Sequence, residues 1–359
     1  MARTDKFERI LNRRVPYEKR ATHLSRRVLA EATSDYRYLV NAMQPIDIEY
    51  TENTFREGNR VKDQLESYFR GTSPVNFEYQ GSVTSDTHIQ THSDIDLLVL
   101  CDLFFSVDKG VTPENPYDGN PNEDLKKLRD SCSSVLGQKF PEATVNAKPG
   151  KSIEVDGGSL RRKIDVVIGN WWNTNAYNDS KSKRDRGIRI LDSSTGERIW
   201  NKPFLHNFLI DVKDERTNGL RKAIRLLKSL KYDASNSLKI SSYDICALAY
   251  GIDDELLCVT EGDYLQLAKN TREGLRYFIE NAAARSVLKV PNDMRYVFCD
   301  EGTDFANLKL LVDELDELLA GIARVQENTV ILNRLERKTA SLDPAWIEQR
   351  APSVIANTY

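Results

Sequence analysis

The spacing of apolar positions changes twice along the chain. Residues 17–42 and 51–70 carry apolar side chains at helical intervals with charges between them, as in Phe55, Val61, Leu65 and Phe69, which predicts two long amphipathic helices. Residues 76–80 then read as a short strand, followed by the turn signal Gly81-Ser82 and a polar stretch to Ser93. Residues 94–101 carry the strongest strand signal. Residues 106–122, rich in Pro, Gly, Asn and Asp, predict a loop, and 123–140 a helix through Leu125, Leu128, Cys132 and Leu136. Strand signals return at 143–147, 152–155, 163–168 and 187–191. Beyond about residue 200 only helical spacing remains, at 217–232, 242–250, 261–288 and 305–335, with breaks at Pro291 and residues 300–302. The pattern predicts an α+β chain: N-terminal helices and a mixed lobe over 1–200, a helical lobe over 201–359, and a packed or frayed tail from Asp343.

Composition narrows the class only a little. With 40% hydrophobic and 29% charged residues, the chain falls outside the disordered and fibrous extremes, and 359 residues suffice to bury two cores. A formal net charge of −3 supplies no general attraction to nucleic acid, so a basic surface must be local. The richest basic run, residues 181–186 with Arg189, is expected to be a solvated loop. Cysteines at 101, 132, 246, 258 and 299 are odd in number and lack the close pairs of zinc or disulfide frameworks, which suits a reducing compartment. No apolar signal core or membrane-length run occurs, so a cytoplasmic protein without membrane attachment is expected.

Candidate chemistry starts at Asp94 and Asp96. Strand alternation sends both to one face and Ile95, Leu97 and Val99 to the other. Carboxylates that close repel, and a divalent cation relieves the conflict. Hard oxygen ligands select Mg²⁺ or Mn²⁺, with phosphate and water completing the shell. Gly81-Ser82, a dozen residues upstream, allows close backbone approach and offers amide and hydroxyl donors to phosphate oxygens. In residues 161–168 the same alternation groups Arg161, Lys163 and Asp165 opposite Ile164, Val166 and Ile168. Asp165 is therefore the candidate third carboxylate, enough for two ions about 3.5–4 Å apart to clamp an in-line phosphoryl displacement.

Gly81-Ser82, then Ser93-Asp94-Ile95-Asp96-Leu97-Leu98-Val99, then Lys163-Ile164-Asp165-Val166-Val167 resembles the polymerase beta-like nucleotidyltransferase superfamily. Within it the chain is most similar to the bacterial CD-NTases, relatives of cyclic GMP-AMP synthase and oligoadenylate synthase. The resemblance spans roughly residues 50–250 by motif and the helical remainder by length and order. It implies a lobe built on a twisted mixed sheet and a helical C-terminal lobe that closes a nucleotide cleft. It also implies that Asp94 and Asp96 ligate two Mg²⁺ ions, that Asp165 completes the site at the attacking hydroxyl, and that Gly81 and Ser82 bind the donor triphosphate. Leu226-Leu227-Lys228 resembles the helix whose lysine neutralises triphosphate charge. Ser242-Tyr243 resembles a pair whose hydroxyl contacts phosphate and whose ring stacks on a base. By residue type alone, Lys228 is equally one cation on an amphipathic helix and Tyr243 equally a core aromatic. The chain departs from the family at Asp86, where glycine usually precedes the residue corresponding to Thr87.

The implied reaction joins ATP and other NTPs into a cyclic di- or trinucleotide with release of pyrophosphate, in antiphage (CBASS) signalling whose downstream effector acts through the product. With no His and Cys cluster to form the zinc-binding insert of the animal DNA sensor, no obligatory nucleic-acid activator is expected. The alternatives are a nucleotidyltransferase acting on an RNA end or a protein hydroxyl, and a catalytically silent nucleotide-binding scaffold. His88 and His92, four apart, are expected to border the cleft rather than to bind zinc. Trp171-Trp172 is expected to pack rather than to stack on bases, and the acidic runs at 253–255 and 313–317 to form solvated faces.

Overall fold

The computed structural model describes residues 34–90, 94–113, 116–299 and 302–340. Residues 17–33 of the first predicted helix, His92 and the tail from 341 lie outside them. Two helices lead in: α1 (Ser34–Met43) and α2 (Ile48–Phe69), the latter capped by the Asp47 side chain, which accepts from the Glu49 amide at 2.8 Å. The sheet region follows as β1 (Val75–Gln80), β2 (Ile95–Val107), α3 (Pro121–Lys139), β3 (Thr144–Asn146), β4 (Ile153–Asp156), β5 (Ile164–Asn173), the short α4 (Asn175–Ser180), β6 (Gly187–Asp192) and β7 (Glu197–Asn201). Helices complete the described chain: α5 (Pro203–Thr217), α6 (Leu220–Asp233), α7 (Ser242–Tyr250), α8 (Asp254–Leu257), α9 (Tyr264–Glu280), α10 (Ala282–Val287) and α11 (Phe305–Ala340). The class is α+β, a mixed sheet followed by a helical C-terminal region, as expected.

The sheet runs β1-β2-β5-β4-β3, with β6 pairing the far half of β5 and β7 pairing β6. Among the described strands only β2 and β5 pair in parallel. Their inward residues, Ile95, Leu97 and Val99 with Ile164, Val166 and Ile168, are buried against Val61 and Leu65 of α2 and Leu125 and Leu136 of α3. The opposite face carries Leu98, Leu100, Val167 and Trp171 in a smaller cluster. A third and larger core lies among the C-terminal helices, and α1 contributes Tyr38, Leu39, Ala42 and Met43 to it although it precedes the sheet in the chain. From α1 in the helical core the chain crosses at residues 44–47 to α2, which packs on the sheet.

Several predicted boundaries move. Strand β2 continues to Val107, into the expected loop, because a register shift between Cys101 and Phe105 lets it pair on with Trp171 and Trp172. Helix α5 and strand β7 have no counterpart in the apolar pattern. The predicted helix at 217–232 is α6, separated from α5 by Asn218 in the left-handed region and Gly219. The predicted 261–288 helix breaks at Asn281, which caps α10. The acidic runs are not free faces: Asp254 pairs with Lys213 and Arg216, and Asp316 with Arg272 and Arg276. The basic run is likewise anchored, with Lys183 on Glu78 and the Arg186 guanidinium 4.1 Å from the Trp171 ring centroid.

Candidate active site

The acidic wall is laid out by strand register. Asp96 of β2 lies opposite Asp165 of β5, Gln80 of β1 opposite Asp96, and Glu154 of β4 opposite Asp165. Cross-strand partners project to one face, so four strands present one polar row, and Asp94 stands one pleat before Asp96 on the same face. Lys163 Nζ lies 3.3 Å from Asp94 Oδ2, 3.3 Å from Asp165 Oδ1 and 2.9 Å from Glu154 Oε1. One ammonium does not neutralise this row. Desolvation by the surrounding protein, then the charges of Asp165 and Asp94, push Asp96 up to about 7 against the pull of Lys163. Desolvation also raises Asp165, with Lys163 opposing. Lys163 is the cation that faces the buried Asp165 Oδ1, as an ion pair at 3.3 Å.

These are residues that fit a hard divalent cation: crowded carboxylates, two of them with raised proton affinity, that share one ammonium. Among the described residues no three His, Cys, Asp or Glu side chains form a metal cage by themselves. Mg²⁺ needs no such cage, since it commonly takes one or two carboxylates and fills its octahedron with phosphate and water.

The loop after β1 closes one end of the row. Gly81 has φ +90°, and a Cβ there would lie 2.5 Å from Asp96 Oδ2, so the glycine both permits the turn and lets the backbone reach the carboxylate. The loop holds itself through Thr87 N to Ser82 O at 3.0 Å and Thr84 Oγ1 to Gly81 O at 2.8 Å. Asp86 has φ +51°. A left-handed conformation favours glycine; here Arg225 braces the aspartate, donating to its carbonyl at 2.6 Å and its carboxylate at 3.3 Å.

The facing wall comes from α6 and α7. Arg221, Arg225 and Lys228, spaced along one face of α6, donate in order to three consecutive loop carbonyls: Ser85 O at 2.9 Å, Asp86 O at 2.6 Å and Thr87 O at 2.8 Å. Lys228 is 1% exposed, and burial, with Lys231 and Arg225 nearby, lowers its pKa to about 8 against an opposing pull from Cys246. An ammonium has three donors, and Thr87 O takes one. Ser242 opens α7, and the Tyr243 ring lies 4.9 Å from that of His206, which burial holds down to about 4 and therefore neutral.

Between the walls lies a cleft of about 340 Å³. Gly81, Ser82, Asp94, Asp96, Asp165, Lys228, Ser242 and Tyr243, each singled out from the sequence, all line it. A family model described as the cGAS/DncV-like nucleotidyltransferase C-terminal helical domain matches residues 209–320. The cyclic dinucleotide synthase CdnE of Yersinia aleksiciae is 38% identical over 272 residues, covering 74% of this chain and 71% of that one. The chain belongs to the bacterial cGAS/DncV-like nucleotidyltransferases, the CD-NTases. A STING-associated CdnE c-di-GMP synthase from Flavobacteriaceae sp. has a similar solved structure at 27% identity, covering 88% of this chain and 97% of that one, with a TM-score of 0.74. A second, from Capnocytophaga granulosa, is 25% identical, covers 89% and 98% and has a TM-score of 0.71.

In this CD-NTase the cleft also takes in Gln80, Ser85, Thr87, Asn201, His206 and Asn207, which the motifs did not single out. The cation ladder of α6 had a signal, Arg221, Arg225 and Lys228 at intervals of four and three. Asn201, His206 and Asn207 had none, because they flank the β7–α5 crossover that the apolar pattern left unassigned. Trp171 and Trp172 pack as expected, against Phe204 and Trp200, outside the cleft lining. His88 is buried against Thr51, Nε2 to Oγ1 2.9 Å, and does not line the cleft. No helix among the described residues is long and apolar enough to cross a membrane.

Proposed function

We propose that this CD-NTase joins two NTPs into a cyclic dinucleotide with release of pyrophosphate, using Asp94, Asp96 and Asp165 to hold two Mg²⁺ or Mn²⁺ ions. The observation that carries the reading is the in-register pairing of Asp96 with Asp165, facing the buried Lys228 across one cleft. Bound there, divalent cations would lower the charge on the triphosphate and make the attacking hydroxyl more acidic. The Gly81-Ser82 turn offers amides and a hydroxyl to phosphate oxygens, and Lys228 brings an ammonium with donors to spare. Asp165, whose Oδ1 lies 3.3 Å from Lys163 Nζ, would accept a hydrogen bond from the attacking ribose hydroxyl. Tyr243 supplies a face for a base and Ser242 a hydroxyl for phosphate. Most of the acceleration then comes from positioning and preorganised charge.

The relatives named above are a cyclic dinucleotide synthase and two STING-associated c-di-GMP synthases, which favours a dinucleotide over a trinucleotide. The same reading puts the chain in the cytoplasm, in antiphage (CBASS) signalling through an effector that senses the product, without an obligatory nucleic-acid activator. It places the boundary between the catalytic and helical lobes at residues 200 and 201. Incubation with all four NTPs and Mg²⁺ or Mn²⁺, followed by mass spectrometry, tests it. A cyclic dinucleotide is the expected product. Linear nucleotides alone, or nucleotide attached to RNA or protein, would overturn it in favour of an end-adding transferase.

A further inference from the structure

Asn292 is 1% exposed and sits near the tip of a tight reversal in which Lys289 bridges Tyr296, Val290 N reaches Arg295 O at 3.1 Å, and Asp293 takes a φ of +60°. Its side-chain oxygen accepts from Tyr243 Oη at 2.7 Å. Its amide nitrogen donates to Lys202 O at 3.0 Å and Asn201 Oδ1 at 3.3 Å. A carbonyl such as Lys202 O can only accept, which settles the amide's orientation. The reversal is pinned a second time beside Tyr243, since Asp244 accepts from Arg295 at 2.6 Å and from Thr303 at 3.1 Å.

One buried amide therefore ties three parts of the molecule: the ring of Tyr243 on α7, the crossover at Asn201 and Lys202 where the chain leaves the sheet for the helices, and the 289–296 reversal itself. Tyr243 and Asn201 both line the cleft. Without this bond the phenol hydroxyl would be a partly buried donor lacking its partner, and only the packing of His206 and Arg295 on the ring would hold it.

We propose that Asn292 is a positioning residue for nucleotide binding, holding the Tyr243 ring and the 201–202 crossover in one arrangement so that the base-facing wall is formed before the NTP arrives. The inference rests on the NTP-binding reading above. Preorganisation of this kind acts on binding, because an ordering cost otherwise met at each binding event is removed beforehand.

The test is a double-mutant cycle of Asn292→Ala and Tyr243→Phe, the second removing only the hydroxyl, read by binding of a non-hydrolysable ATP or GTP analogue with Mg²⁺ and by steady-state kinetics. Each single change is expected to weaken analogue binding and raise the NTP KM about tenfold, with a smaller change in kcat, and the pair together no more than Asn292→Ala alone, which also releases the crossover. An Asn292→Ala protein with unaltered KM but lower kcat and Tm would overturn the proposal, as would full additivity of the two changes. Should Asn292→Ala not fold, Tyr243→Phe carries the test alone, and unchanged analogue binding by it would overturn the proposal. A wild-type protein that neither binds the analogues nor makes a cyclic product fails the underlying reading instead.

Discussion

The two walls of the cleft are built by opposite means. The acidic wall draws its charged residues from adjacent strands, where parallel pairing alone sets Asp96 beside Asp165 although 69 residues separate them. The cationic and aromatic wall has no ladder to align it. Lys228 and Tyr243 come from different helices, and their places depend on loop carbonyls and on Asn292. Backbone register tolerates side-chain substitution, so the acidic wall should lose chemistry without losing shape. The helical wall should lose shape and affinity together.

The largest expected effect is on the acidic wall. Asp165→Asn or Asp94→Asn should lower cyclic-product formation by on the order of 10³ or more. The Tm in EDTA should stay the same or rise, because a repulsive charge has been removed. Product yield and a thermal melt check both halves, and turnover surviving both changes would break the comparison at its root.

Gly81→Ala comes next. Both a left-handed φ and a Cβ 2.5 Å from Asp96 Oδ2 oppose it, so we expect activity to fall on the order of 10²-fold and stability by about 1–3 kcal/mol. Gly71, with φ +76° and nothing within 4 Å, is the control: its alanine variant should cost about 1 kcal/mol and leave turnover alone. Urea midpoints and kcat for the two variants separate backbone strain from the collision with Asp96.

On the helical wall, Lys228→Met should raise the NTP KM about 10- to 100-fold, the range for losing a charge-assisted hydrogen bond. Competition binding with inorganic triphosphate measures the same loss without turnover.

A pH series in EDTA sharpens the contrast further. Asp96 is raised from 3.8 to about 7, so the folded protein keeps a proton there that the unfolded chain releases. Its contribution to stability is present below pH 3.8 and lost as pH climbs towards 7, and Asp96→Asn should remove that part of the slope. Lys228 is lowered from 10.5 to about 8, so the unfolded chain holds the extra proton between those values and stability should rise with pH across them. Denaturant midpoints against pH, compared with Lys228→Met, give both signs.

The smallest change expected is Asp86→Gly. It relieves a left-handed φ of +51° but gives up the carboxylate contact with Arg225, and the two should cancel to within about 1 kcal/mol with activity retained. A midpoint shift larger than that would show one of the two dominating.

Much of the site is legible in the residues alone because period-two alternation is a strong local signal. At the start of both strands it assigns the faces seen: Ile95, Leu97, Ile164 and Val166 are fully buried in the cluster with α2 and α3 while Asp94, Asp96 and Asp165 line the cleft, and only further along does the aspartate face also become buried, at Leu98, Leu100 and Val167. Gly81 is legible as a turn, but not as a position whose Cβ would strike Asp96. The β7–α5 region escapes the pattern because β7 is a short edge strand of mixed polarity, Glu197–Asn201, and its helix begins at Pro203 with no side-chain cap. The ion pairs of Asp254 and Asp316 are equally invisible, because a charge run shows its own sign and not that of the helix packed on it.

By itself, then, the sequence determined most of the strands, the candidate carboxylates and the family, since each depends on residue type and spacing over a few residues. Only the tertiary structure decided that Asp165 faces Asp96, that Arg221, Arg225 and Lys228 grip three successive carbonyls of one loop, and that Asn292 ties Tyr243 to the crossover. Those contacts join residues dozens to more than a hundred positions apart. Their partners are set by how helices and sheet close on one another, information that no local periodicity carries.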